Sequence, residues 1–331
     1  MITFDNALSL IFGSEVASHK FKFSKAQYQQ AFGDIQEAVF RRHVVPRSFW
    51  KLQRWLQVGA ERKYTRASKI FSEFVHDCVE LRREVFDRKC REDGELAAGA
   101  DLDMMAVYLE ERKKPHLDKF LKDVALNFMA ASRDTLTGAL TWFFWLVATH
   151  PCVEAKILDE LRENLPPEEG FFAAQDLNKL VYLQAALYET FRLYPLVPFN
   201  HKTAVKADIL PSGHHVKANR TILISYYSMG RMEEIWGPDC SEFKPERWID
   251  WEGKAPRLVY VSPHKYAAFS LGPRTCLGRD MALVQIKVVA INVLRNYRLH
   301  VVEGHPIVPR LTVSLDMKHG LKINVSKRFD D

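Results

Sequence analysis

The segment Phe269-Ser270-Leu271-Gly272-Pro273-Arg274-Thr275-Cys276-Leu277-Gly278 gathers several chemical requirements into ten residues. One cysteine stands between glycines, with a basic residue two positions before it and an aromatic seven before it. Glycine has no Cβ, so its backbone can approach a flat ring closely. Backbone N–H groups and a nearby guanidinium hold a sulfur anion, and a thiolate that ligates haem iron needs such surroundings. Arg274 also suits a carboxylate such as a haem propionate. Against this, a lone cysteine in a glycine-rich loop is usually a small buried apolar residue. Cys276 alone leaves both readings open, and the full pattern carries more weight.

Two further pairs have chemical potential. Glu189 and Arg192, in Tyr188-Glu189-Thr190-Phe191-Arg192, are three apart on a helical face. That spacing usually marks a solvated surface pair. Here Leu183, Ala186, Leu187, Phe191 and Leu193 surround it, which predicts a buried face, and a buried pair needs further partners. Asp134 and Thr135 lie inside a long helical pattern, where an exposed polar patch is the plain reading. A threonine there often bonds back to a carbonyl one turn earlier and bends the helix.

The elements that must position these residues are mostly helical. The spacing predicts helices over Met1 to Phe12, with Phe4, Leu8 and Ile11 on one stripe, Lys25 to Arg42, and Lys63 to Asp93, with Ile70, Phe74, Cys78 and Leu81 on one stripe. Gly94 to Gly99 reads as a loop. Further helices are predicted over Leu117 to His150, Pro151 to about Asn164, Leu180 to Tyr194, and Leu277 to about Asn296, with prolines at several boundaries. Strand signals cover Val205 to Ile209, Val216, Thr221 to Ser225, His300 to Val302, Thr312 to Leu315 and Leu321 to Val325. No internal repeat or linker breaks the chain. The expectation is one mainly α domain over residues 1–331 with a small β part.

Composition narrows the classes. The chain has 331 residues, 47% of them apolar, which supports a sizeable core and argues against disorder. Its five cysteines, Cys78, Cys90, Cys152, Cys240 and Cys276, form no C-x-x-C pair, which argues against zinc and dithiol sites. The net charge of +6 suits an acidic partner or a membrane surface, but no basic run is long or aromatic-interleaved as nucleic-acid binding requires. No stretch reaches the roughly 20 apolar residues of a membrane span. His201, His214 and His215 lack metal-site spacing, and no H-E-x-x-H, G-x-S-x-G, Walker loop or G-x-G-x-x-G is present.

The pattern F-x-x-G-x-R-x-C-x-G resembles, at every position, the haem-ligand signature of the cytochrome P450 family. The resemblance implies the P450 fold and a heme b whose iron is ligated by Cys276, in a cofactor loop with Phe269, Gly272, Arg274 and Gly278. The family's E-x-x-R is matched by Glu189 and Arg192, and its third member, from a P-E-R segment, by Arg247 in Lys244-Pro245-Glu246-Arg247-Trp248. By resemblance these three form a structural, haem-retaining triad. The family's distal helix motif, [A/G]-G-x-[D/E]-T-[T/S], is matched at Ala131, Asp134 and Thr135, implying a catalytic acid–alcohol proton relay. Ser132 and Leu136 depart from it.

The flanking texture resembles the plant branch that hydroxylates fatty acids and alkanes, closest to the mid-chain alkane hydroxylase group. This implies a monooxygenase that inserts one oxygen atom of O2 into a C–H bond of an apolar, long-chain substrate. Electrons would come from NADPH through a separate NADPH-cytochrome P450 reductase. Substrate contacts are expected at Phe128 to Ala131, Val197 to Phe199 and Leu315-Asp316-Met317. Basic residues Lys265, Arg274, Arg279 and Lys287 offer a face to an acidic reductase, with plain solvation as the alternative. Full-length relatives would be tethered to the endoplasmic reticulum membrane on its cytosolic face. The family's N-terminal anchor, hinge and the early helix that carries its W-x-x-x-R contact would all precede Met1, so the sequence reads as N-terminally truncated. Two rivals stand beside the oxygenase: an inactive fragment, and a reductase-independent haem-thiolate isomerase.

Overall fold

The computed structural model describes residues 2–19, 21, 24–93, 103–110, 117–166, 174–253, 255–310 and 312–328. They fall into two compact units, Met1–Asp134 with Leu311–Val313, and Thr135–Arg310 with Ser314–Asp331. The division lies within one helix. The expected Gly94 to Gly99 loop is outside the described residues.

The first unit is helical: α1 (Ile2–Phe12), α2 (Ser14–Ser18), α3 (Lys25–Val44), α4 (Arg47–Leu56), α5 (Gly59–Asp93), α6 (Met104–Glu110) and the start of α7 (Leu117–Thr149). Phe4, Leu8 and Ile11 recur at one face of α1 and are buried in one core with Phe74 and Cys78 of α5, as their spacing demands. Ser24 and Gln27 form a reciprocal cap that starts α3: the Ser24 hydroxyl accepts from Gln27 N at 3.3 Å, and Ser24 N donates to the Gln27 side-chain Oε1 at 2.8 Å. Asp103 caps α6 through its side chain, accepting from Met105 N and Ala106 N at 3.0 Å while pairing with the buried Arg82.

Helix α4 was not legible as a separate element. It starts after Pro46, where φ is preset, and ends at Gln57 in the left-handed region. None of its residues is buried. Its half-buried Trp50 lies under the Arg42 guanidinium at 5.0 Å, and Arg42 forms a two-pronged pair with the buried Glu61 at 2.8 Å on each prong.

The second unit holds the rest of α7, then α8 (Pro151–Asn164), α9 (Ala174–Leu177), α10 (Val181–Leu193), α11 (Tyr226–Met229), α12 (Glu233–Trp236) and α13 (Arg279–Asn296). Its core draws Phe143 and Leu146 from α7, Ile157 and Leu161 from α8, Leu183 and Leu187 from α10, and Ile291 and Leu294 from α13. Eleven residues of α10 are buried, including Glu189 and Arg192. The first turn of α10 is capped from α8: Glu160 accepts from Tyr182 N at 2.6 Å and from Leu183 N at 2.9 Å.

The β part consists of antiparallel pairs. β1 (Phe199–Thr203) pairs with β4 (Thr221–Ser225), Phe199 opposite Ser225; β2 (Asp208–Ile209) pairs with β3 (His215–Val216). β5 (Ile249–Asp250) pairs with β6 (Arg257–Leu258), and β7 (Tyr297–Val301) with β8 (Ile323–Lys327). Strand β1 was not expected, and the strand expected over Thr312 to Leu315 is a series of bends. The backbone groups of Leu315 are committed elsewhere. Its carbonyl accepts from Trp142 Nε1 at 2.7 Å and its N–H donates to Leu196 O at 3.0 Å.

Candidate functional site

Glu189 and Arg192 face one another one turn apart on α10, both fully buried. The contact is two-pronged. Arg192 Nε donates to Glu189 Oε2 and Arg192 Nη2 to Oε1, each at 2.7 Å. A guanidinium has five N–H donors, and the structure uses all of them. Nη1 donates to the carbonyls of Gly230 and Cys240, and the second Nη2 hydrogen to Glu242 O at 2.9 Å. The Gly230 contact demands glycine: a Cβ there would lie 2.1 Å from Arg192 O.

The carboxylate is equally occupied. Lys244 N donates to Oε1 at 3.0 Å, Arg247 Nε to Oε1 at 3.4 Å, and Trp248 Nε1 to Oε2 at 2.8 Å. Arg247 then reaches outward, to Trp236 O at 2.7 Å and to both the backbone and side-chain oxygens of Asp239, at 3.0 and 2.8 Å. Hydrogen bonds from Lys244 and Arg247 hold the Asp239 carboxyl down at about 2. Burial pulls the Arg247 guanidinium down, but Asp239 and Glu189 outweigh it and hold it above its ordinary range. A buried pair is stable only when every polar atom is met, and here it is. Trp248 and Asp239 were missed as partners. The signal for Trp248 was its place directly after Arg247.

The network abuts the cysteine loop. Phe191, next to Arg192, packs edge-on to Phe269 at 5.7 Å between ring centroids. From Phe269 the chain turns tightly. Ser270 and Gly272 both have positive φ, 61° and 63°, and Gly272–Arg274 forms a short 3-10 turn. Cys276 N donates to Phe269 O at 2.8 Å, which closes the loop on itself. Thr275 donates through its N–H and its hydroxyl to Gly272 O, at 3.0 and 2.8 Å. Gly278 then begins α13, its carbonyl accepting from Ala282 N at 2.8 Å. Phe269, Gly272, Arg274, Cys276 and Gly278 therefore share one folded loop. Residues 271–277 are exposed, including the Cys276 side chain, and Leu277 is 88% exposed.

Asp134 and Thr135 are consecutive and half-buried in the middle of α7. The Asp134 carboxylate lies 3.4 Å from Arg133 Nε. Ser132 bonds back to a carbonyl one turn earlier, its hydroxyl donating to Phe128 O at 2.8 Å. Ser132, which departs from the resembled motif, is therefore turned along its own helix.

The remaining expected residues divide. Lys265, Arg274 and Arg279 are exposed, as a charged face requires. Lys287 is not: only 5% exposed, it donates to Leu177 O at 2.7 Å, and burial holds its amine down at about 8. It lies on the inward side of α13, where Leu283, Ala290 and Ile291 are also buried. Leu315 and Met317 pack with Trp142, while Val197 and Phe199 are exposed. His201, His214 and His215 are exposed, and no metal-binding cluster is found among the described residues.

The chain is similar to known proteins over nearly its whole length. The chain is 40% identical over 328 residues to the alkane hydroxylase MAH1 of Arabidopsis thaliana, covering 98% of this chain and 64% of that protein. It is 37% identical to cytochrome P450 86B1 of Arabidopsis thaliana, covering 99% of this chain and 59% of that one. It is also 37% identical to noroxomaritidine synthase 2 of Narcissus aff. pseudonarcissus MK-2014, covering 98% and 63%. The chain thus spans about 60% of the length of these relatives. Among solved structures, retinoic acid bound cyanobacterial CYP120A1 superposes with a TM-score of 0.78 at 21% identity, over 98% of this chain and 67% of that one, so the fold is shared. The family described as Cytochrome P450 matches residues 1–323, and this chain belongs to it.

Proposed function

We propose that this chain forms the haem-thiolate part of a monooxygenase that hydroxylates an apolar, long-chain aliphatic substrate. The observation that carries the reading is the Cys276 loop, folded on itself with its sulfur exposed and braced by the Glu189–Arg192–Arg247 network. The loop fits a haem. A Cβ built at Gly272 or Gly278 would meet nothing within 4 Å, so a flat macrocycle has room to approach. Cys276 would hold the iron, and exposed Leu271 and Leu277 would lie against the ring. Arg274 is exposed and free of any described carboxylate, which suits it to a propionate. A thiolate-held haem supplies reductive activation of dioxygen.

The chain's own residues supply the rest. The Glu189 carboxylate, saturated with donors, fixes α10 and the segment 244–248. On α7, the Asp134 carboxyl and the Thr135 hydroxyl would pass protons toward the oxygen site. The aliphatic substrate is inferred from the likeness to the alkane hydroxylase MAH1, and electrons would arrive from NADPH through a reductase. Both units are proposed to belong to one P450 domain, supported by a family match that runs through them.

Membrane association is proposed through α4. No single helix among the described residues is long and apolar enough to cross a membrane. On α4, Phe49, Leu52, Trp55 and Leu56 share one face and are at least half exposed, with Trp55 at 79%. Arg47, Lys51 and Arg54 share another face. Large apolar side chains opposite basic ones are the pattern of a helix lying in a membrane interface.

The test is turnover of a long-chain alkane or fatty acid by the haem-loaded chain with reductase and NADPH. Thr135→Ala should keep cofactor binding while diverting NADPH-derived electrons into peroxide rather than alcohol. Product formed at wild-type yield per NADPH in Thr135→Ala would mean that Thr135 relays no proton.

A further inference from the structure

A cleft of about 280 Å3 in the second unit takes no part in this chemistry. Gln184 and Tyr188 of α10 line it, with Asp280 and Lys287 of α13. Leu180 and Leu283 form buried apolar wall, and Leu258 and Val284, each about 40% exposed, form the mouth.

Two polar groups in it are short of partners. Gln184 is 6% exposed, and its amide Nε2 is buried without a hydrogen-bond acceptor. A buried donor left unmet is costly, and folded proteins rarely keep one without a use for it. The Lys287 ammonium has three donors and gives one to Leu177 O. Glu160 attracts it through space, but the Glu160 oxygens already accept from Tyr182 N and Leu183 N. The low position of the Lys287 amine, about 8, is the mark of a cation poorly solvated and poorly paired.

We propose that this cleft binds a small amphipathic monocarboxylate, its oxygens accepting from Lys287 and Gln184 and its aliphatic tail lying against Leu258 and Val284. A carboxylate offers two acceptors, one for each donor. A single charge is required because Asp280 lines the same cleft and would repel a second. A wholly polar anion would leave the leucine and valine wall against solvent. The volume lies just below the usual range for drug-sized ligands, which sets the size at a short fatty acid.

The test is calorimetric titration of the purified chain with octanoate. The expected result is saturable one-to-one binding, weakened at least tenfold in Lys287→Met and at least tenfold for neutral 1-octanol. Val284→Trp fills the mouth without touching the buried donors and should also abolish binding, so the test survives if Lys287→Met fails to fold. Binding should persist in Cys276→Ala, which separates this site from the proposed haem site. Absence of saturable octanoate binding, or wild-type affinity in folded Lys287→Met or Val284→Trp, would overturn the proposal.

Discussion

Trp248 Nε1 donates to Glu189 Oε2 at 2.8 Å, the same oxygen that receives Arg192 Nε at 2.7 Å. The indole therefore sets the carboxylate's orientation for the two-pronged pair. Trp248→Phe keeps most of the ring but removes this N–H. Because the acceptor is charged and buried, the loss should cost about 1.5–3 kcal/mol. Urea unfolding of the purified chain, followed by helical circular dichroism, measures it.

Glu189→Gln should cost more. It leaves the Arg192 guanidinium fully buried and without its counter-charge, and removing one partner of such a pair costs about 3–5 kcal/mol. Haem retention should fall in step, since the Phe191–Phe269 contact couples this helix to the Cys276 loop. Unfolding midpoints and haem stoichiometry, measured on the same sample, check both. Unchanged stability would mean that the pair is not formed as described.

Gly230→Ala should destabilise by about 3 kcal/mol, because the new methyl must displace the Arg192 carbonyl from a 2.1 Å approach. Gly213, which has nothing within 4 Å but a φ of 81°, is the comparison: alanine there meets backbone strain of about 1 kcal/mol and no clash. Thermal melts of the two variants should therefore differ.

The stripes of α1 and α5, the long α7, the buried α10 and the cysteine loop were all legible, because regular burial writes regular spacing. The order Glu189, Arg192, Arg247, Cys276 was legible through family resemblance. What stayed hidden depends on partners distant in sequence. Glu160 caps a helix some twenty residues away, and Leu315 loses its strand to Trp142 and Leu196. Lys287 looked like a surface charge because one basic residue in a helix carries no local sign of which way it faces. Helix α4 was missed because its apolar face meets no core, so burial could not be read from its pattern.

Lys287 gives a pH signature. Its amine sits at about 8 in the folded chain, against an ordinary 10.5. Between those values the unfolded chain binds more protons than the folded one, so this lysine makes stability rise as pH rises. Lys287→Met removes its contribution to that slope. Urea midpoints across this window should climb in the wild type and climb less in the variant; equal slopes would place the lysine in solvent.

Helix α4 should bind anionic vesicles. Trp55→Asp should lower the bound fraction roughly tenfold, and Lys51→Glu should lower it only at low salt. Sedimentation with phosphatidylserine-containing vesicles measures both. Equal sedimentation of wild type and Trp55→Asp would contradict the assignment of this face.

Cys276 is proposed to hold a haem through its thiolate. The most direct measurement is the difference spectrum of the reduced, carbon-monoxide-treated chain after haem addition. A strongly red-shifted Soret band that disappears in Cys276→Ala is expected. An unshifted band, or a shifted one that survives the substitution, would contradict it.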